Sequence, residues 1–231
     1  MEFFALSGYP STSLITPRVR INAHKAPLKG APLDRYRCFA ELQQHETFGE
    51  DYHIDLRKGV SSVAVIAPHG GGIEFGTDPI AQSIADPDHT FWAFKGIKKT
   101  GNRILHITST RFDVPDALKI TLAAQTVVTI HGCRGEASIV HVGGRHSELK
   151  SRIRQSLCQS GFNAEISEKP ALRGENPTNL CNRCISGRGV QLEITKGLRK
   201  TMFTSYEGWD IRKKTECFFR FTNAVRTVLA F

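Results

Sequence analysis

The sequence predicts an α/β fold: a single domain built on an open, mixed, mostly parallel sheet with helices on both faces. Three observations lead there. Two nearly continuous apolar runs, residues 60–67 and 125–131, have the composition of strands covered on both sides. Segments of helical periodicity alternate with strand-like ones, the order that lays helices across a parallel sheet. The 231 residues, 40% hydrophobic and 23% charged, are enough for one full core.

Residues 1–33 carry four of the ten prolines and end in HKAPLKGAPL without sustained periodicity, which predicts an extended, non-catalytic arm ahead of a folded domain over 34–231. DRYRCFAELQQHE then sets Tyr36, Phe39, Ala40 and Leu42 at helical spacing behind Asp34 as a cap. Residues 52–56 alternate as a half-buried strand, and 60–67 form the core strand. Residues 73–85 read as a helix interrupted near Pro79, 91–94 and 104–107 as short strands, and a further helix starts near Pro115. QTVVTIH, residues 125–131, is the second buried strand; ASIVHV follows as another, and 145–159 as a helix. Residues 190–195 make the last strand and 212–229 the closing helix, and there are no internal repeats.

The 31 basic against 22 acidic residues give a formal charge of +9, which draws in a polyanion without choosing between nucleic acid, an acidic polypeptide and an anionic wall polymer. At 0.1 M salt the Debye length is about 10 Å, so only clustered charge steers well. No apolar run approaches the 18 or so residues that span a bilayer, and no basic-then-apolar leader with a cleavage site opens the chain. A soluble cytoplasmic protein with no membrane partner is expected, leaving the cell by lysis if at all. Six cysteines are too sparse for a disulfide scaffold at this length and predict free thiols in a reducing compartment.

The chemistry concentrates in residues 63–74, VAVIAPHGGGIE, where an apolar strand delivers His69 into three glycines and then Glu74 at an expected helix start. In a continuous helix two side chains five residues apart would diverge. Gly70, Gly71 and Gly72 permit a tight turn that lets imidazole and carboxylate converge on one ion. The second buried strand also ends in a histidine, His131, and ligands in such sheets collect at the carboxyl ends of strands. Either histidine alone is more often a satisfied structural residue; with Glu74 they leave a fourth zinc position open for water, the pattern of a hydrolytic site holding one zinc per chain. A base is then needed, and in GVQLEIT the alternation sets Glu193 on the face opposite Val190, Leu192 and Ile194. From that segment alone a solvated strand carboxylate is the slightly better reading.

Cys133 reads as packing. Cys181 and Cys184, the one CxxC, lack the second pair a structural zinc would want and sit in a loop before a strand, so they read as incidental. HGGG also serves as an oxyanion loop in lipase-like hydrolases, but the chain has no GxSxG elbow, nor the lysine and hydroxyl of a phosphate-cradling loop.

From Asp34 onward the sequence resembles the phage and bacterial poly-γ-glutamate hydrolases, which are similar in core to zinc carboxypeptidases. Four stretches carry the resemblance in the family's order: DRYRCFAEL, APHGGGIE, HGCRGE, and NLCNRCISGRGVQLEIT with a downstream LR. It implies a zinc carboxypeptidase-like fold and a zinc-dependent, metallopeptidase-like hydrolase that cleaves γ-glutamyl amide bonds. It also implies His69, Glu74 and His131 as zinc ligands and Glu193 as the counterpart of the general base. Where carboxypeptidases bind a substrate carboxylate with an Asn-Arg pair, this chain offers Asn182 and Arg183, and a planar guanidinium suits that task. Arg134 is the candidate catalytic arginine beside the developing oxyanion, with Arg188 as its alternative and as a further substrate-binding residue. Zinc carboxypeptidases space their first ligands HxxE, whereas four residues separate His69 from Glu74, as in the poly-γ-glutamate branch. The expected partner is an anionic γ-glutamyl polymer, acted on by a monomer.

Two rivals stand beside this reading. One is a nucleic-acid-binding or phage replication-related protein, drawn from the charge and from the basic FKGIKKTGNR at 94–103, whose plainer reading is a solvated loop. The other keeps the zinc and moves the substrate to wall peptides.

Overall fold

Seven strands form one open sheet in a computed structural model of the protein that describes residues 34–204 and 213–230; the expected arm, 1–33, lies outside the described residues. They are β1 (Tyr52–Arg57), β2 (Val63–Gly71), β3 (Thr90–Gly96), β4 (Thr126–Cys133), β5 (Ile139–Gly144), β6 (Asn163–Ile166) and β7 (Val190–Thr195), in the order β1-β3-β2-β4-β7-β5-β6. The central β3, β2, β4 and β7 run parallel. β1 is antiparallel at one edge, and β5 with β6 runs antiparallel to β7 at the other. The mixed, mostly parallel sheet is thus as the apolar runs predict.

Six helices cover it: α1 (Phe39–Leu42), α2 (Thr77–Ala85), α3 (Pro115–Ala123), α4 (Ser147–Gln159), α5 (Lys196–Thr201) and α6 (Glu216–Leu229). Strand alternation divides the interior into two cores. Val63, Val65 and Ala67 of β2, Val128 and Ile130 of β4, and Val190, Leu192 and Ile194 of β7 pack with Ile80, Ile153 and Phe221 of α2, α4 and α6. Ala64, Ile66, Trp92 and Phe94 meet Phe39, Ala117, Leu105 and Phe112 on the opposite face. Beyond this second core the face is polar, and there the cavity opens.

Several local expectations are corrected. The stretch 104–107 is no strand: Asn102–Leu105 is a 3-10 turn behind Gly101, whose φ of +75° turns the chain out of the sheet. Pro79 does not interrupt a helix, because α2 starts at Thr77 and the proline falls in the first turn, where backbone N–H groups lack intrahelical partners anyway. Glu74 therefore precedes α2 instead of opening it. The first helix is a single turn capped at Cys38, its Phe39 N–H donated to Asp113 Oδ1 at 2.6 Å, so Asp34 is not its cap. The core strand starts at Val63, since Val60 is exposed. β6 and α5 had no sequence signal; β6 is a four-residue edge strand with three exposed residues, too polar to show a core-facing pattern. α6 begins at Glu216, while position 212 lies outside the described residues. Among the described residues no helix is long and apolar enough to cross a membrane.

Phe112 joins the second core to the polar face. Its ring lies 6.0 Å from Trp92, 6.2 Å from Phe94 and 6.0 Å from the imidazole of His69. Phe112→Ala should cost about 3 to 5 kcal/mol of folding stability in urea denaturation, the range for a buried phenylalanine whose site cannot collapse; a loss below about 1 kcal/mol would show that this wall of the cavity is soft.

Candidate active site

β2 would carry His69 to the wrong side of the sheet if it stayed regular. Val63, Val65 and Ala67 all face the first core, and two further residues along, His69 would follow them. The pairing with β3 shifts register between Ala67 and Gly70, and this irregularity brings the His69 ring beside Phe112 and His131 on the opposite face. The turn then closes at Gly71, with a φ of +60° and a Cβ position only 2.3 Å from the Gly96 oxygen, so glycine is required there. The Glu74 amide donates to the His69 carbonyl at 2.9 Å, which closes the five-residue loop and sets the two side chains over one point.

His131 reaches the same point from β4, on the face it shares with Val127. Its Nδ1 lies 3.2 Å from Nδ1 of His69. The Glu74 carboxylate straddles the pair, Oε1 at 3.3 Å from His69 Nδ1 and Oε2 at 3.6 Å from His131 Nδ1. The outer nitrogens are occupied: His69 Nε2 donates to the Ile107 carbonyl at 2.9 Å, and His131 Nε2 lies 3.4 Å from Ser109 Oγ. That outer bond leaves a lone pair on the inner nitrogen of His69, as a metal-binding histidine requires. Donors bound tetrahedrally at 2.0–2.1 Å stand about 3.3 Å apart. The inner spacings therefore fit a small divalent cation.

A fourth group, His106, had no sequence signal. Its ring stacks on His69 with centroids 4.0 Å apart, Nδ1 meets Asp34 Oδ1 at 2.7 Å, and Nε2 faces Glu74 Oε1 at 3.7 Å. His69, Glu74 and His106 offer ligand atoms within 4.8 Å of one another. Asp34 also accepts from the Thr108 amide at 2.7 Å and from Arg111 Nη2 at 2.7 Å, so it anchors the whole segment that walls the cavity.

Glu193 stands in the row next to His131 across the β4–β7 pairing, on the face opposite the apolar residues of β7 as the alternation predicts. The solvated-carboxylate reading fails, because β7 lies between β4 and β5 and Glu193 is buried. Gln191 Nε2 donates to its Oε1 at 2.9 Å, and Asn179 Nδ2 donates in turn to Gln191 Oε1 at 2.9 Å. A cavity of 340 Å³ joins Glu193, Gln191 and Asn179 to His69, Glu74, His106 and His131, and Thr108–Thr110 with Pro170, Ala171 and Gly174 to Asn176 complete its lining.

The environment drives the two carboxylates apart in acidity. Burial opposes the charge on Glu74, but the imidazoles of His69 and His131 outweigh it and hold this carboxyl well below its usual range. Burial, and then the charge of Glu74, push Glu193 up to about 8. The charge of His69 and burial together lower His106, against the pull of Asp34.

The other expected site residues do not converge here. Asn182 is buried with both ends of its carboxamide engaged: Oδ1 accepts from the Arg145 and Gly189 amides, and Nδ2 donates to the Gly174 and Asn176 carbonyls. Arg183 donates to the carbonyls of Thr178, Phe112 and Thr110, which clamps two loops behind the rim. Arg134 and Arg188 are exposed and line no part of the cavity. The arginine that does approach is Arg199 of the LR pair, buried, with Nε on the Ile194 carbonyl at 3.0 Å and Nη2 on the Cys133 carbonyl at 3.3 Å. A Cβ on Gly132 would lie 2.5 Å from its guanidinium carbon, so HGC needs its glycine to admit this side chain. The six cysteines are free; burial raises the Cys133 thiol to about 11 and the Cys181 thiol further, which makes both unreactive packing groups.

The chain and its fold have counterparts among known proteins. Residues 36–224 match the family described as poly-gamma-glutamate hydrolase. The chain is 34% identical to YndL of Bacillus subtilis (strain 168) over 198 residues, 84% of this chain and 77% of that protein. Its fold superposes on a bacteriophage poly-gamma-glutamate hydrolase with a TM-score of 0.82 at 30% identity, covering 85% of this chain and 97% of the other. Against the zinc-free apo structure of YndL the TM-score is 0.78 at 32% identity, covering 85% and 98%.

Gln191→Leu should raise the Glu193 protonation midpoint above its starting value of about 8, because the hydrogen bond donated to Oε1 favours the charged form. Infrared titration of the carboxyl band in chelator-treated protein reads it, and an unmoved midpoint would remove Gln191 from control of this group. The sign for stability follows. Unfolded chain releases this proton near 4.5 and folded chain near 8, so the metal-free fold holds the extra proton between them and loses stability as pH rises through that window.

Proposed function

Because the chain belongs to the poly-γ-glutamate hydrolase family, matched over residues 36–224, we propose that it hydrolyses γ-glutamyl amide bonds at a zinc ion held by His69, Glu74 and His131, with Glu193 as the general base. One observation carries the reading: two imidazole nitrogens and a carboxylate, drawn from β2, its following turn and β4, converge at 3.2 to 3.6 Å in the cavity that also holds Glu193. A zinc ion there would polarise the amide carbonyl and lower the pKa of a water to about 7. The zinc-free description of the YndL structure is in keeping with this metal.

The chain's own groups do the rest. Glu193 accepts the proton of the attacking water and returns it to the departing α-amine, so one carboxylate serves both halves of the reaction. Its Oε1 is held by Gln191, which leaves Oε2 to face the water. A divalent cation nearby favours the ionised form of Glu193, which brings its value of about 8 in the bare chain down to the range of a working base. His106, oriented by Asp34, stands beside Glu74 as the polar group on the open side.

The basic stretch that suggested nucleic acid is partly engaged within the fold. In the stretch 94–103, Lys95 pairs with Asp55 and Asp78, and Lys98 pairs with Glu46 and Asp51, which removes two of its four cations from any phosphate-binding face.

Purified protein should carry about one zinc, lost in His69→Ala and His131→Ala but kept in His106→Ala. Release of glutamyl products from poly-γ-glutamate should stop with a chelator and return with added zinc. Glu193→Gln should keep the zinc and slow turnover by about 10² to 10⁴, the usual contribution of a general base. A Glu193→Gln protein that turns over at the wild-type rate would overturn the assignment.

A further inference from the structure

A polymer with one carboxylate on every unit needs cations along its path, yet the described residues that line the catalytic cavity include neither lysine nor arginine. Its carboxyl groups are Glu74, Glu175 and Glu193, so the incoming carboxylates are not neutralised on the cavity floor. Glu175 lines a second, more open hollow as well, and the other side of that hollow is formed by Arg145 and Lys150 with Ser147. The two spaces thus share one wall residue.

We propose that Arg145 and Lys150 form a subsite for the α-carboxylate of a γ-glutamyl unit flanking the bond that is cut, with Glu175 as the resident counter-charge that this carboxylate displaces. The proposal rests on the hydrolase reading for the identity of the ligand. Lys150 is mostly buried, 12% exposed, and its Nζ lies 3.7 Å from Glu175 Oε1, while the glutamate is 51% exposed. A buried ammonium held by a loose, solvated partner can exchange that partner at little cost. The Arg145 guanidinium has no hydrogen-bond or ion-pair partner among the described residues, and its five donors in a planar fork match a carboxylate.

The backbone beneath is fixed. Gly144 donates to the Arg173 carbonyl at 2.7 Å, Arg145 to Asn182 Oδ1 at 3.2 Å, and His146 to the Gly189 carbonyl at 3.1 Å. Three successive amides are tied down, so the two cations start α4 from a rigid turn. Asn182 therefore serves recognition from behind, by placing Arg145.

The test is equilibrium binding of a γ-glutamyl hexamer and of a single-unit γ-glutamyl amide to the full chain, in a Glu193→Gln background that holds back cleavage. Arg145→Met and Lys150→Met should each weaken the hexamer about tenfold, the scale of one charge-assisted contact. They should leave the single-unit amide and the melting temperature unchanged. Lys150→Arg should retain hexamer binding, Glu175→Gln should strengthen it, and the two methionine variants should flatten its salt dependence. Equal hexamer binding by wild type and both methionine variants, or equal losses on the hexamer and the single unit, overturns the subsite. If the wild type releases no glutamyl product, the hydrolase reading falls instead, and the hexamer measurement still decides whether Arg145 and Lys150 bind γ-linked carboxylates.

Discussion

Two carboxylates buried in one cavity are the constraint on which the rest of this structure turns. An ionised carboxylate away from water is costly unless paired, and two of them close together raise each other's cost. The fold answers unequally. Glu74 sits between the inner nitrogens of His69 and His131 and also accepts the Gly132 amide at 2.8 Å, so it is held as an anion. Glu193 receives one neutral hydrogen bond from Gln191 and the more distant charge of Arg199, so in the bare chain it is held as an acid. A cation placed among the imidazoles relieves both at once, which is why the arrangement reads as a metal centre and not as an ion-pair network.

Holding that cluster takes more of the fold than the cluster itself. The register shift in β2 and the positive φ of Gly71 are two places where regular strand geometry is given up so that side chains from separate strands meet, and Gly132, in regular register, leaves the gap that Arg199 fills. Outside them stands a ring of fixed supports. Asp34 anchors His106, Thr108 and Arg111; Arg183 binds three loop carbonyls; Arg199 ties the ends of β4 and β7. Several groups that carry charge are therefore spent on backbone carbonyls, and their charge orders loops instead of touching substrate.

This division explains what could be read in the sequence. His69, Glu74 and His131 were legible because strand ends and a glycine turn are local signals, and the face of Glu193 because strand alternation has a strict period of two, whereas its burial was not, since a strand's place in the sheet is not a local property. The sheet was legible for the same reason, through runs buried on both faces. His106 was not, since its partner Asp34 is 72 residues away and the residue directly follows a 3-10 turn whose apolar residues imitate a strand. Asn182 and Arg183 carried the right chemistry for a carboxylate site, but nothing in their spacing says that seven backbone groups would claim them first. Arg199, named only as part of a downstream LR, turned out to be a buried arginine whose charge acts on Glu193.

The placement of the positive surplus follows from the same electrostatics. An arginine or lysine on the cavity floor would pair with Glu74 or Glu193, repel a divalent cation and take from Glu193 the lone pair that a water's proton needs. Cations are useful to such a site only at a distance where they attract the polymer without reaching the carboxylates. Screening at physiological salt sets that distance at about 8 Å. In a chain of net charge +9, the described residues that line this cavity include three carboxyl groups and three imidazoles but no lysine or arginine, which satisfies both demands. On the proposed function, the basic character that first pointed to a polyanion belongs to the approach of the substrate, and the chemistry to a pocket from whose described lining that charge is absent.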